Sequence, residues 1–193
     1  MPLEKSYAVP TNELTLTDIK AYKSAAQEAG ITRALSLGLA GTRDELVVRE
    51  ALPLIDMGAA AVNGYGTEYY ITDAITAVGW ALVFNTVAGA VVAPTLGATK
   101  VAVFYKVADA DGDPAATAVR FQVGAGGVTT KAVFFFQLGL DNKLESDLYF
   151  SKPIVYDPQD VLFIQFYSRA AAHAAEELSF GCYVIERQGS TVS

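Results

Sequence analysis

Residues 100–107 read Lys100-Val101-Ala102-Val103-Phe104-Tyr105-Lys106-Val107. Successive side chains of an extended chain point to opposite faces, so Val101, Val103, Tyr105 and Val107 share one face and Ala102, Phe104 and Lys106 the other. β-branched and aromatic residues at period two predict a strand and not a helix. One face reads as core and the other as mixed.

The same pattern spreads outward from this run. From Asp44 onward, short apolar runs alternate with clusters of Gly, Pro, Asp and Asn. The candidate strands are Glu45–Glu50, Ala77–Val87, Lys100–Val107, Ala118–Val123, Val128–Leu138, Leu144–Phe150, Val161–Tyr167 and Leu178–Glu186. About eight such segments predict an all-β fold, an antiparallel jelly-roll-like β-sandwich over residues 44–193. Gly124-Ala125-Gly126-Gly127 reads as a hairpin turn that needs positive φ. A phosphate-cradling loop would have to open a helix, and Val128-Thr129-Thr130 opens a strand. Ala170 to Ala175 reads as a loop with one helical turn.

Residues 1–43 predict an N-terminal arm and one short helix. Pro2 and Pro10 oppose helix up to about residue 14. Thr15 can then cap a helix, with Asp18 three residues on and Ile19, Tyr22, Ala26 and Ala29 at helical spacing. Gly30 stands where such a helix is expected to stop. Ile31 to Gly41 stays open between another helical turn and coil.

Two of the strands break the alternation. Val133-Phe134-Phe135-Phe136 and Val161-Leu162-Phe163-Ile164-Gln165-Phe166-Tyr167 carry apolar groups on both faces, which antiparallel strands rarely do unless both faces are covered. The helix could cover one strand, and a symmetric partner chain is the more economical cover for several. Composition agrees: 52% of residues are hydrophobic and 18% charged, against about 25% charged in average domains. An exterior so poor in charge is expected to be buried in part against other subunits.

The formal net charge of −7, with 14 basic residues, opposes direct nucleic-acid binding. No apolar segment of the signal-peptide kind follows Met1, so the expectation is synthesis in a host cytoplasm. Ala74 to Thr99 is uncharged and long enough for a bilayer. Gly79, Asn85, Gly89, Pro94 and Gly97 interrupt it, and Val78, Trp80, Leu82 and Phe84 alternate as a strand does, so no membrane partner is expected.

No residue pattern points to catalysis, and no cofactor or metal is expected. His173 is the single histidine and Cys182 the single cysteine. Cys182 sits within the apolar run Phe180 to Ile185, where a structural thiol is usual. Asp109, Asp111 and Asp113 resemble the opening of a calcium loop, but Pro114 replaces the required Gly and Arg120 the bidentate Glu, so a polar turn is the better reading. Glu68, Asp73, Glu145, Asp147, Glu176 and Glu177 could in principle serve a hydrolase that needs two carboxylates. A solvated acidic surface is the preferred reading. In the long Gly- and Tyr-rich connection from Gly58 to Tyr70, the rings of Tyr65, Tyr69 and Tyr70, with Trp80 nearby, suit a sugar-stacking platform or a protein contact. These tyrosines, together with Tyr7, Leu14, Ile19 and Tyr22 of the arm and helix, are the candidate partner contacts.

The run Tyr149-Phe150-Ser151-Lys152-Pro153-Ile154-Val155-Tyr156-Asp157-Pro158-Gln159-Asp160, leading into Val161–Tyr167 and closed by Leu178–Arg187, resembles small jelly-roll virion proteins of tailed bacteriophages, the head decoration or cement proteins among them. The likeness covers about the last third of the chain and is one of strands and turns. It implies a homotrimer on the outer capsid surface of a virion, clamping neighbouring copies of the major capsid protein. The expectation set beside it is that the sandwich faces oligomerise and the N-terminal arm and helix bind the shell. A receptor-binding tail module, with carbohydrate recognition, is the alternative implied by the arm and the aromatic loop.

Overall fold

The computed structural model describes residues 8–51, 56, 70–71, 78–83, 93–109, 116–135, 147–169 and 177–189. In chain order the elements are β1 (Ala8–Pro10), a 3-10 turn (Thr11–Glu13), α1 (Leu16–Ser36), a second 3-10 turn (Arg43–Glu45), β2 (Leu46–Glu50), β3 (Tyr70–Ile71), β4 (Gly79–Leu82), β5 (Lys100–Asp109), β6 (Ala116–Val123), β7 (Thr129–Phe135), β8 (Asp147–Tyr156), β9 (Leu162–Ser168) and β10 (Glu177–Arg187). Each of the eight expected strands holds an observed one. The segments β1 and β3 are too short to leave a periodic signal.

The strands form two antiparallel sheets. The first runs β1-β8-β5-β10-β2, with β3 also paired to β10, and the second runs β4-β9-β6-β7. From β4 onward the chain crosses between sheets at every connection except the β6–β7 hairpin, which is the interleaved order of a jelly roll. That hairpin turns on Gly124, Gly126 and Gly127 at φ of 91°, 78° and 73°, as the glycine run implied.

Apolar residues from both sheets fill the space between them. Phe104, Phe121, Phe150, Phe166 and Tyr156 are fully buried there. Phe104 meets Phe121 at 5.4 Å and Tyr156 edge-on at 5.6 Å, and Phe134 stacks on Phe150 at 4.2 Å. The buried Tyr156 hydroxyl donates to the Gln122 carbonyl at 2.9 Å, which ties β8 of one sheet to β6 of the other. β8 runs further than expected, through Pro153 to Tyr156. The ladder with β5 shifts register between Phe104 and Lys106 just there, and a proline without an N–H is tolerated at such a bulge.

The helix also departs from expectation. Thr15 caps it in a full capping box with Asp18, but it does not stop at Gly30. It continues to Ser36, because Gly30 faces the first sheet and its missing side chain lets the helix approach Ile185 and Val103. The terminator is Gly38 at φ 70°. There the Leu39 N–H reaches the Ala34 carbonyl and the Gly38 N–H the Leu35 carbonyl, satisfying the last helical acceptors. Arg33 then forks onto Asp157 at the β8–β9 turn, its Nε donating at 2.7 Å.

The helix lies on the outer face of the first sheet. Ala26 and Ala34 pack with Val101, Val103, Tyr105, Tyr149, Tyr183 and Ile185 in a second core. For this sheet, therefore, the cover of the second apolar face comes from the chain's own helix. Part of the expected arm is likewise built in, since Ala8, Val9 and Pro10 pair with Phe150, Tyr149 and Leu148. No helix among the described residues is long and apolar enough to cross a membrane.

Candidate interaction surface

The second sheet has no helix over its outer face among the described residues, and the cross-strand register determines what it presents. Phe135 of β7 lies opposite Ala118 of β6, Ala118 opposite Tyr167 of β9, and Tyr167 opposite Trp80 of β4. Directly opposed residues share a face, so these four form one row, about 15 Å long at the usual strand spacing. Two residues along, Val133, Arg120, Gln165 and Leu82 form the next row. The alternate residues Val119, Phe121, Phe134 and Phe166 point into the core.

Exposure along the rows is uneven. Phe135 is 74% exposed and Val133 37%, and Val128 in the adjoining turn is 83% exposed. Trp80 and Tyr167 are half-buried and meet edge to face at 5.4 Å. The apolar runs 133–135 and 161–167 thus resolve by face: Phe134, Leu162, Ile164 and Phe166 go inward, and Val133, Phe135, Phe163 and Tyr167 outward.

Within this apolar surface stands one cation. The Arg120 guanidinium lies over the Trp80 ring at 4.2 Å from its centroid. Its Nε donates to Gln165 Oε1 at 2.7 Å, and its Nη2 donates to the same oxygen. No ion pair is made by Arg120 among the described residues. Burial lowers its affinity for the proton relative to the ordinary value, yet a guanidinium stays charged. Stacking on an aromatic face is favourable for a cation, but it leaves the outer N–H groups without an anion.

A second polar group lies at the opposite extreme of burial. Arg49 donates to both Asp56 carboxylate oxygens at 2.6 Å and, through Nε, to Glu186 at 2.9 Å, while Lys100 reaches Asp56 at 3.1 Å. The side chains of Asp56 and Glu186 are fully buried. Two cations and two carboxylates balance, so the cluster reads as an internal clamp between β2, β5, β10 and Asp56. Glu186 Oε2 has no hydrogen-bond partner among the described residues.

Of the expected contact residues, Leu14, Ile19 and Tyr22 pack against the second core, and the Tyr22 ring lies 5.8 Å from that of Tyr149. Their apolar surface is used inside the chain. Tyr70 is in β3, opposite Leu178. Tyr7, Tyr65, Tyr69, Asp111, Asp113, His173, Glu68, Asp73, Glu145 and Glu176 lie outside the described residues. Asp109 ends β5 opposite Leu178, and Asp147 and Glu177 begin β8 and β10. Cys182 is buried in the main core, where burial pushes its thiol well above the ordinary range. Among the described residues no group of His, Cys, Asp and Glu could hold a metal ion.

Comparison with models of known protein families and with curated proteins gives no match to this chain.

Proposed function

We propose that this chain is a non-enzymatic structural protein that works by self-association and, as an oligomer, decorates and stabilises the outer surface of a bacteriophage capsid. The observation that carries the assembly step is the row Phe135–Ala118–Tyr167–Trp80, in which Phe135 is 74% exposed, Tyr167 and Trp80 are half-buried and Ala118 is buried between its neighbours, with the exposed Val133 beside it. Exposed apolar side chains of this kind, on a sheet face that carries no helix among the described residues, favour a protein contact. The jelly-roll strand order, the low charge fraction and the strand-and-turn pattern of residues 149–167 support the capsid setting.

The assembly step is tested by sedimentation of the full chain at micromolar concentration. The wild type is expected to sediment as an oligomer, and Phe135→Asp as a folded monomer. A monomeric wild type refutes self-association. The capsid step is tested by co-sedimentation with phage heads that lack the protein: saturable binding is expected, and no binding at any concentration refutes it.

The unspent donors of Arg120 and Gln165 beside Trp80 favour a second reading, a carbohydrate-binding virion module. A glycan array separates it from the first, since a decoration protein is expected to retain no sugar.

A further inference from the structure

We infer that the assembling face is completed by a carboxylate, which a second copy of this chain brings to Arg120 in a head-to-tail contact; this rests on the self-association proposed above. The surface around Arg120 is apolar: Trp80 beneath it, Val133 directly opposite on β7, and Phe135 two residues further along that strand. Any partner that covers Phe135 and Val133 also removes water from Arg120. A buried guanidinium without an anion is strongly unfavourable, so a stable contact here must supply one. Gln165 cannot do so, because its Oε1 already accepts twice from Arg120 and carries no charge.

The identity of the partner follows from charge. The chain has 21 acidic residues against 14 basic ones, so a second copy offers a surplus of carboxylates. The two rows of the face itself, Phe135, Ala118, Tyr167 and Trp80 with Val133, Arg120, Gln165 and Leu82, contain none. Packing the face on itself about a twofold axis would bring together two surfaces with cations and no anions. The contact must therefore join this face to a different, acidic surface of the next copy. Contacts of that kind close into rings or propagate as fibres, and they do not end at a dimer.

Sedimentation equilibrium of the full chain, with the fold checked by near-ultraviolet circular dichroism, tests this. Compared with the wild type, Arg120→Glu and Arg120→Gln are expected to weaken association by about 30-fold or more, and Arg120→Lys by less. Wild-type association is expected to weaken as salt rises from about 0.05 to 0.5 M. Glutamine at 120 can keep the contact with Trp80, so it separates loss of charge from loss of packing. If both Arg120→Glu and Arg120→Gln associate as tightly as the wild type while Phe135→Asp is monomeric, the carboxylate contact is wrong and the assembling face stands. A terminal dimer overturns the head-to-tail contact. A wild type that is monomeric throughout overturns both. If that monomer's Trp80 fluorescence also responds to a uronic-acid oligosaccharide and Arg120→Gln abolishes the response, Arg120 belongs to an acidic-glycan site instead.

Discussion

Gly30 of α1 lies so close to Ile185 of β10 that a Cβ built on it would fall 2.3 Å from Ile185 Cδ1, and 2.8 Å from Val103 Cγ2. Two terms oppose each other when this glycine is replaced. Alanine raises helix propensity by about 1 kcal/mol, while forcing a methyl into a filled contact costs about 1–3 kcal/mol. Ile185 and Val103 are both fully buried, so the second term wins. Gly30→Ala is expected to lower stability by about 1 kcal/mol in urea unfolding. Ile185→Val removes the nearest of the atoms in the way, leaving Val103 Cγ2 and the inner carbon of residue 185, so its usual cost of about 0.5–1.5 kcal/mol should shrink in the Gly30→Ala background. A double-mutant cycle that shows simple additivity would refute the contact.

Burial pushes the phenols of Tyr156 and Tyr105 upward from the ordinary value of 10.0, in both cases chiefly by desolvation, and raises the Cys182 thiol from 9.0. Below about pH 8 these groups are protonated in both folded and unfolded chains and have no effect on the balance. Above it the unfolded chain releases protons that the folded chain retains, so stability falls with rising pH, by about 1.4 kcal/mol per pH unit for each group fully in that window. Unfolding midpoints in urea are expected to hold steady from pH 7 to about 8, to begin falling near pH 9 as the unfolded chain's thiol ionises, and to drop steeply beyond pH 10 as the phenols follow. Tyr156→Phe should flatten the alkaline limb and, by losing the bond to the Gln122 carbonyl, cost about 1 kcal/mol at pH 7. An alkaline limb unchanged by this substitution would count against the assignment.

Arg49 holds two fully buried carboxylates, Asp56 and Glu186, whereas Lys100 touches Asp56 alone. Removing one partner of a buried pair leaves a charge without compensation, at about 3–5 kcal/mol. Arg49 retains some exposure, so water can re-enter and the lower end of that range applies. Arg49→Met is expected to cost about 3 kcal/mol and Lys100→Met about 1 kcal/mol, measured by chemical unfolding at pH 7. Equal losses would mean that Glu186 does not depend on Arg49.

Strand existence was legible because short β-branched and aromatic runs stand between turn residues in all eight segments; the period of two is clearest in Lys100–Val107 and fails in Val133–Phe135 and Val161–Tyr167, which are apolar on both faces. Helix length was not. Gly30 has the composition of a terminator, but its role is close approach, and only the fold distinguishes the two. β1 is held by its ladder with β8 and leaves no periodic trace over three residues. For the candidate surface, the two-sided apolar character of Val133–Phe135 was visible in the sequence as a demand for cover. Which residues would sit beside Phe135 was not, because that depends on register. The β6–β7 ladder shifts between Phe121 and Gln122, which sets Val133 opposite Arg120, and an unbroken β6–β9 register from Ala118 to Val123 sets Gln165 on its other side. Ile19 and Tyr22, with Ala26 and Ala29, were legible as an apolar helical stripe, and a stripe alone does not say whether its partner is another chain or the chain's own sheet.

The β6–β7 turn allows the cost of backbone conformation to be separated from the cost of contact. Gly126 and Gly127 both have positive φ, but a Cβ on Gly126 meets nothing within 4 Å, whereas one on Gly127 falls 2.7 Å from Gln122 Oε1 and 2.8 Å from Phe163 Cδ1. Alanine at either position pays about 1–2 kcal/mol for the left-handed conformation. At Gly127 it also displaces Gln122, whose Nε2 donates to the Gly127 carbonyl and to Thr130 Oγ1 at 3.0 Å each. Gln122 is buried beside Phe163, so it cannot move out without freeing those bonds. Gly127→Ala is therefore expected to cost at least about 1 kcal/mol more than Gly126→Ala, and Gln122→Ala should reduce the difference by removing the obstruction. Equal losses at the two glycines in thermal unfolding would show that backbone conformation alone sets the cost and that Gln122 does not brace the turn.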